Sequence, residues 1–310
     1  MKAAQLSSYG GKDALVVNID VDKPVINENQ VLVEVYSASA NPFDYKLREG
    51  YLKDYVPLQF PATLGGDIAG KVVEVGASVN KIVIGDEVYG QANAVGKGSF
   101  AEYAAVNADQ LAKKPRSIDF NQAAALPLAA ISAYQAIIET IKLTSGQKIL
   151  IQGGAGGIGS FAIQFAKNVG AYIATTANKN DEANLKALRA DLVIDYEKED
   201  FTNLINEYDA VFDTVGGEVN QKSYQVLKEG GYLVSMVDQP NEDLVNKYKI
   251  KYTSLQTKVT TEKLDYLSNL INQNKINISI AKVFPLDEAP EALEYLKVSH
   301  PKGKVVIKIK

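Results

Sequence analysis

The sequence predicts an α/β protein of two domains, a small β-barrel or sandwich joined to a doubly wound parallel sheet. The chain has 310 residues, more than the roughly 100–200 of one ordinary domain. Up to about residue 115 it reads as short strands punctuated by Gly, Pro and Asn, a pattern of small all-β units. Beyond Lys114-Pro115, six apolar runs alternate with stretches of helical periodicity, as strands and crossovers of a parallel sheet do.

In the first part, Ala3–Leu6, Val31–Val35, Lys71–Val75, Asp86–Tyr89 and Phe100–Ala104 read as strands, with at most a turn over residues 44–49. An Ala-rich stretch follows from Asn121 to Ile141. The six runs are Lys148–Gln152, Tyr172–Thr176, Leu192–Tyr196, Ala210–Val215, Tyr232–Val237 and Ile250–Leu255. Near-continuous apolar strands need cover on both faces, which intervening helices supply. The tail from Ala281 ends in an alternating stretch, Lys304–Ile309, expected to be an antiparallel strand returning to the first domain. The expected boundaries are residues 1–118, 119–268 and 269–310, the last rejoining the first.

Composition narrows the function. With 33 Lys+Arg against 37 Asp+Glu, both signs interspersed, the chain offers no basic field for nucleic acid or an anionic membrane. No apolar run approaches the roughly 20 residues that span a bilayer, and Met1-Lys2-Ala3-Ala4 lacks the apolar core of a secretory leader. A cytoplasmic protein acting on a small molecule is expected. There is no Cys, which removes disulfides, thiolate nucleophiles, iron–sulfur clusters and Cys-ligated zinc. The single His, His300, lies beside Pro301, and catalytic zinc usually needs three protein ligands. No metal is expected.

The strand Ile149-Leu150-Ile151 runs directly into Gly153-Gly154-Ala155-Gly156-Gly157-Ile158-Gly159, with GxGxxG at Gly154, Gly156 and Gly159. Ile158, Phe161, Ala162, Phe165, Ala166 and Val169 then recur at helical spacing. Strand, glycine turn and helix in this order form a dinucleotide fingerprint, in which glycines let the backbone approach a pyrophosphate and the helix N-terminus offers N–H groups and a positive dipole end. Gly154, Gly156, Gly157 and Ile158 are the expected contacts. NAD enzymes usually place a carboxylate at the end of the second strand; here Thr176-Ala177-Asn178-Lys179 puts an amide and a cation there, suited to the 2′-phosphate of NADP(H). Asp181 is the nearest carboxylate. Val215 and Val237, at the ends of the fourth and fifth strands, should line the cofactor, because ligands bind outside the carboxyl ends of such strands.

Asn41-Pro42-Phe43-Asp44-Tyr45-Lys46, Gly65-Gly66-Asp67-Ile68-Ala69-Gly70, Gly85-Asp86-Glu87-Val88-Tyr89-Gly90, the glycine turn and Gly303-Lys304-Val305-Val306 together resemble the medium-chain dehydrogenase/reductase superfamily. Within it the chain is most similar to the zinc-independent quinone oxidoreductases and enone oxidoreductases. The resemblance spans nearly the whole chain and implies a GroES-like β-barrel catalytic domain plus a Rossmann domain. Where zinc alcohol dehydrogenases carry their first Cys ligand this chain has Asn41, and for their Gly-His-Glu it has Gly65-Gly66-Asp67. The four-Cys zinc lobe is missing too. Without a Lewis acid a simple ketone is hard to polarise, whereas a conjugated acceptor takes hydride at its β-carbon and spreads charge onto oxygen.

The same resemblance implies that Lys46 reaches the cofactor, that Ser132 lies beside the nicotinamide, that Tyr196 packs near the 2′-phosphate, and that His300 approaches the nicotinamide side. Tyr45 and Tyr51 are candidate catalytic phenols, able to donate a hydrogen bond to a carbonyl or quinone oxygen. Asn41 would orient the substrate or Asp44. Tyr224-Gln225-Val226-Leu227-Lys228 matches the YxxxK of short-chain dehydrogenases, but about 150 residues precede the glycine turn, and the pair reads as an amphipathic helix face. The expected activity is NADPH-dependent hydride transfer to enones or quinones, with a homodimer formed at the Rossmann sheet edge. One-electron quinone reduction, enoyl-thioester reduction and a non-catalytic NADPH sensor are the competing readings.

Overall fold

The computed structural model describes residues 1–299 and 301–310. The chain divides into two compact units, Met1–Leu128 with Val259–Lys310, and Ala129–Lys258. The first unit begins with β1 (Ala3–Leu6), β2 (Leu15–Asn18), β3 (Gln30–Ala40), β4 (Ala62–Thr63), β5 (Asp67–Val75), β6 (Glu87–Gln91), β7 (Tyr103–Asn107) and β8 (Leu111–Lys113). The second holds β9 (Lys148–Ile151), β10 (Tyr172–Ala177), β11 (Leu192–Asp195), β12 (Tyr208–Asp213), β13 (Leu227–Ser235) and β14 (Lys251–Ser254). The chain returns to the first unit as β15 (Ile280–Pro285) and β16 (Lys304–Lys308).

In the first unit β15-β16-β3-β5-β6-β8 form one sheet, with β7 also on β3, and β2-β1-β4 form a second. Long β3 is the spine, pairing antiparallel with β5, β7 and β16. The tail strand is antiparallel to β3 and parallel to β15. Val305, Val306 and Ile307 are all buried, because an interior strand is covered on both faces where a half-exposed one would alternate.

Residues 42–49 are more than the turn the sequence reading allowed. Pro42–Arg48 is a helix, too short for its apolar periodicity to be read. Pro42 opens it, and the Asp44 carboxylate accepts the Asn41 main-chain N–H at 2.7 Å, a reciprocal-cap geometry that satisfies an otherwise orphaned donor.

Residues 119–128 and 259–268, grouped with the parallel sheet in the sequence reading, belong to the first unit. Ser37 Oγ donates to Asn121 Oδ1 at 2.6 Å and the Leu128 N–H to Asp67 Oδ1 at 2.8 Å. In the helix Thr261–Asn272 the Thr261 hydroxyl donates to the Leu111 carbonyl, and the Tyr89 hydroxyl donates to the Leu264 carbonyl at 2.6 Å. These bonds join partners far apart in sequence, which periodicity does not register.

The six strands of the second unit lie in the order β11-β10-β9-β12-β13-β14, all parallel. The order reverses between β9 and β12, the switch point at which ligands of doubly wound sheets bind. Ile149, Leu150, Ile151, Phe212, Leu233 and Val234 are fully buried, matching the apolar runs. Tyr224 and Lys228 share no helix face: Tyr224 is buried in a 3₁₀ turn, and Lys228 lies in β13, paired with Asp209 at 2.6 Å. The pairing of Leu227 with Tyr208 of β12 pulls this segment into the sheet.

The helix Gly157–Asn168 buries Phe161, Ala162, Phe165 and Ala166. Phe165 also packs edge-on against Tyr134, ring centroids 5.9 Å apart. Phe165→Ala should lower unfolding free energy by about 3–5 kcal/mol, measured by denaturant titration. A loss below about 1 kcal/mol would show that this ring is not an anchor of the helix.

Candidate functional site

In the second unit the glycine turn leaves the end of β9. A Cβ on Gly154 would stand 2.0 Å from Thr175 Oγ1, and one on Gly159 2.3 Å from the Gly153 carbonyl oxygen. Only glycine permits these approaches. Two side chains that sequence reasoning missed hold the turn. Thr176 Oγ1 donates to Gln152 Oε1 at 2.6 Å and accepts the Gly153 N–H at 3.1 Å, while the Thr176 carbonyl accepts the Gly154 N–H. Gln152 continues the chain of bonds to Ser223 Oγ. Their signal was only that polar residues ended two apolar runs.

Ser160 is the first helix residue bonded back into the turn, its N–H donating to the Gly156 carbonyl at 3.0 Å. Among the described residues no main-chain carbonyl accepts from Gly157, Ile158 or Gly159. Three donors thus stand at the N-terminus of a 12-residue helix, an anion site in both geometry and dipole. This cradle fits the pyrophosphate of a dinucleotide.

Asn178, Lys179 and Tyr196 come together because β10 and β11 pair in register, Ala177 opposite Asp195. Asn178 Oδ1 accepts the Asn180 N–H, and its Nδ2 donates to Glu197 at 2.6 Å. Lys179 is exposed and pairs with Glu182 at 2.5 Å. A pair so exposed to solvent is weak, so the ammonium can exchange its carboxylate for a phosphate dianion at little cost. Asp181 is buried in the turn after β10, its N–H donating to the Asn178 carbonyl. Val215 and Val237, 51% and 46% exposed, follow β12 and β13. Buried Ser132 shares a 2.6 Å hydrogen bond with Thr257. His300 lies outside the described residues.

In the first unit Asn41 is buried, and its amide is committed to neighbours. Its Nδ2 donates to Asp67 Oδ2 at 2.9 Å, and its Oδ1 accepts from the buried Lys304 ammonium. Asp67 also accepts from Ser39 Oγ at 2.7 Å and lies 3.4 Å from Lys304 Nζ. Asn41 therefore holds the start of its helix in place through a charged network. Three residues later, Tyr45 is half-buried; burial, then the charge of Glu49, raise its phenol pKa, so it stays protonated and able to donate. Tyr51 is 65% exposed. Burial opposes ionisation of Glu49, but bonds from Lys297 and Arg48 outweigh it and hold its pKa at about 2. Lys46, partly buried, forms no ion pair among the described residues.

Burial raises the Asp44 carboxyl to about 7, against the opposing bond from the Asn41 N–H. Unfolded, the group ionises near roughly 3.9. Between the two values the native state keeps a proton that the unfolded chain has lost, so stability falls as pH rises from about 4 to about 7. Asp44→Asn keeps an acceptor for the Asn41 N–H and removes the titration. Its melting temperature relative to the parent should climb between about pH 5 and pH 7.5; a constant difference would mean that Asp44 is ionised throughout.

Residues 27–116 match the alcohol dehydrogenase GroES-like domain, and residues 188–307 match a family described as zinc-binding dehydrogenase. The positions aligned above with zinc ligands do not fit the ion. Asn41 and Asp67 bind the Lys304 ammonium, and no group of three His, Cys, Asp or Glu is assembled among the described residues. The chain is 38% identical to the chloroplastic NADPH-dependent alkenal/one oxidoreductase of Arabidopsis thaliana, over 99% of this chain and 79% of that protein. It superposes on the quinone oxidoreductase of Coxiella burnetii with a TM-score of 0.93, 37% identity and coverage of 100% and 99%. On the Escherichia coli quinone oxidoreductase complexed with NADPH the TM-score is 0.91 at 26% identity, covering both chains completely. The chain belongs to the medium-chain dehydrogenase/reductase family, in the branch of the quinone and enone oxidoreductases.

Proposed function

We propose that this protein is an NADPH-dependent reductase that delivers hydride to conjugated enones or quinones without a bound metal. The observation that carries the reading is the glycine turn with three unaccepted N–H groups at a helix N-terminus, beside the Asn178, Lys179 and Tyr196 cluster. The alkenal/one and quinone oxidoreductases to which the chain is similar support the acceptor class.

NADPH, when bound, supplies the hydride. Gly157, Ile158 and Gly159 hold its pyrophosphate through main-chain N–H groups, and Lys179, released from Glu182, pairs with the 2′-phosphate. Lys46, with no carboxylate of its own, supplies a further cation to the cofactor. An enone takes the hydride pair at its β-carbon, its π electrons moving to form an enolate that gains a proton from water. Tyr45, kept protonated by its surroundings, donates a hydrogen bond to the oxygen on which charge develops. Tyr51, 65% exposed, is the second phenol of this reading, able to donate to the same oxygen. A dimer through the edge of the six-stranded sheet belongs to the same reading; β14 ends that sheet with an open hydrogen-bonding edge. So does a cytoplasmic location.

With a simple vinyl ketone or a naphthoquinone as acceptor, NADPH should be oxidised far faster than NADH. Equal rates would remove Asn178, Lys179 and Tyr196 from cofactor selection. Lys46→Ala should weaken NADPH binding about tenfold, as loss of a charge-assisted bond does. Unchanged affinity by fluorescence titration would take Lys46 out of the site.

A further inference from the structure

The end of β12 carries a carboxylate with a different task from those above. Asp213 is 0% exposed, and no Lys or Arg among the described residues forms an ion pair with it. Four donors satisfy it instead. Oδ1 accepts the N–H groups of Val215 at 2.9 Å and Gly216 at 3.0 Å. Oδ2 accepts Asn220 Nδ2 at 2.7 Å and Ser235 Oγ at 3.0 Å.

The bonds continue into the next strand end. Ser235 Oγ accepts the N–H groups of Val237 at 3.2 Å and Asp238 at 3.1 Å. Asp238 Oδ2 returns to the first loop, accepting the Gly217 N–H at 2.6 Å. Tyr252 closes the ring, its hydroxyl donating to the Asp238 carbonyl and accepting from Asn220 Nδ2. Five main-chain N–H groups in two loops are thereby turned inward, and the side chains of Val215 and Val237 remain exposed. Both loops lie at the carboxyl ends of adjacent strands, β12 beside the switch point.

We propose that Asp213 is a positioning residue for the nicotinamide dinucleotide: it fixes Val215–Gly217 directly and Val237–Asp238 through Ser235, and so sets the surface these loops present to the cofactor. The inference rests on the reading of these strand ends as the cofactor site. A buried carboxylate without a counter-ion is held only by convergent donors, and a group that accepts from two loops at once fixes their separation. The effect is therefore on cofactor affinity, with the acceptor pocket left alone.

Three variants test it, with NADPH affinity read by fluorescence titration in the absence of acceptor. Asp213→Ala strands four donors and should raise the NADPH dissociation constant about tenfold or more. Asp213→Asn is the conservative rescue. Its carbonyl can face Val215 and Gly216, and its amide can donate to Asn220 Oδ1, which is buried and without a hydrogen-bond partner, once the Asn220 amide turns over to present that oxygen in place of its Nδ2. Affinity should stay within about threefold of the parent. Ser235→Ala removes one of the four donors to Asp213 together with the acceptor of the Val237 and Asp238 N–H groups, leaving the Val215 and Gly216 bonds in place. It should weaken NADPH several-fold while the KM for the acceptor stays near that of the parent.

NADPH affinity unchanged in Ser235→Ala, or an acceptor KM that rises in parallel, overturns the proposal even if Asp213→Ala fails to fold. A parent protein that binds no NADPH would defeat the reading of the site itself, and this inference with it. A parent that binds while Ser235→Ala binds equally well defeats the inference alone.

Discussion

A carboxylate taken out of water must find its hydrogen bonds within the chain, and Asp67 is where the first unit meets that demand. Its partners are Ser39, Asn41, the Leu128 N–H and Lys304. They come from β3, the start of the helix at Pro42, the segment before the second unit, and the last strand. One charged group thus ties the ends of the unit together. The helix that carries Tyr45 and Lys46 inherits its position from this network through Asn41. Asp44, in the same helix but without a direct ammonium contact, is held instead by the Asn41 N–H and bears the cost of burial as a raised pKa.

The second unit answers the same demand at Asp213, and comparison with its glycine turn separates two uses of the main chain. Around Asp213 every inward N–H has an acceptor, which makes two loops rigid. At Gly157, Ile158 and Gly159 the N–H groups lack main-chain acceptors, which makes the turn receptive to an anion. The receptive turn needs a firm backing, and Thr176 with Gln152 supplies it. Beside a satisfied frame, unsatisfied donors are affordable only where a ligand or water reaches them.

Chemistry without a Lewis acid follows from what stands around Asn41. An amide and a carboxylate bonded to an ammonium belonging to the chain itself provide no vacancy for a dication; in the proposed reading, activation of the acceptor falls to conjugation in the substrate and to a hydrogen bond from the Tyr45 phenol. The Glu49 cluster assists by fixing charges around Tyr45: Lys297 and Arg48 hold Glu49 ionised, and its negative charge helps keep the phenol protonated.

Much of this was legible in the linear chain. Six apolar runs, a glycine turn between strand and helix, and the absence of Cys determined the fold class, the dinucleotide fingerprint and the loss of zinc ligation. These are local features, since strand burial, turn geometry and ligand chemistry are each written within a few consecutive residues. The short helix at Pro42 escaped because seven residues are too few to show a period, whereas the place of residues 119–128 and 259–268 in the first unit and the split of Tyr224 and Lys228 between turn and strand were decided by pairing with distant segments. So were the roles of Asn41, Gln152, Thr176 and Asp213. A buried polar side chain takes its meaning from the donors and acceptors that surround it, and in this protein Lys304 and Asn41, 263 positions apart, meet only after the sheet has formed.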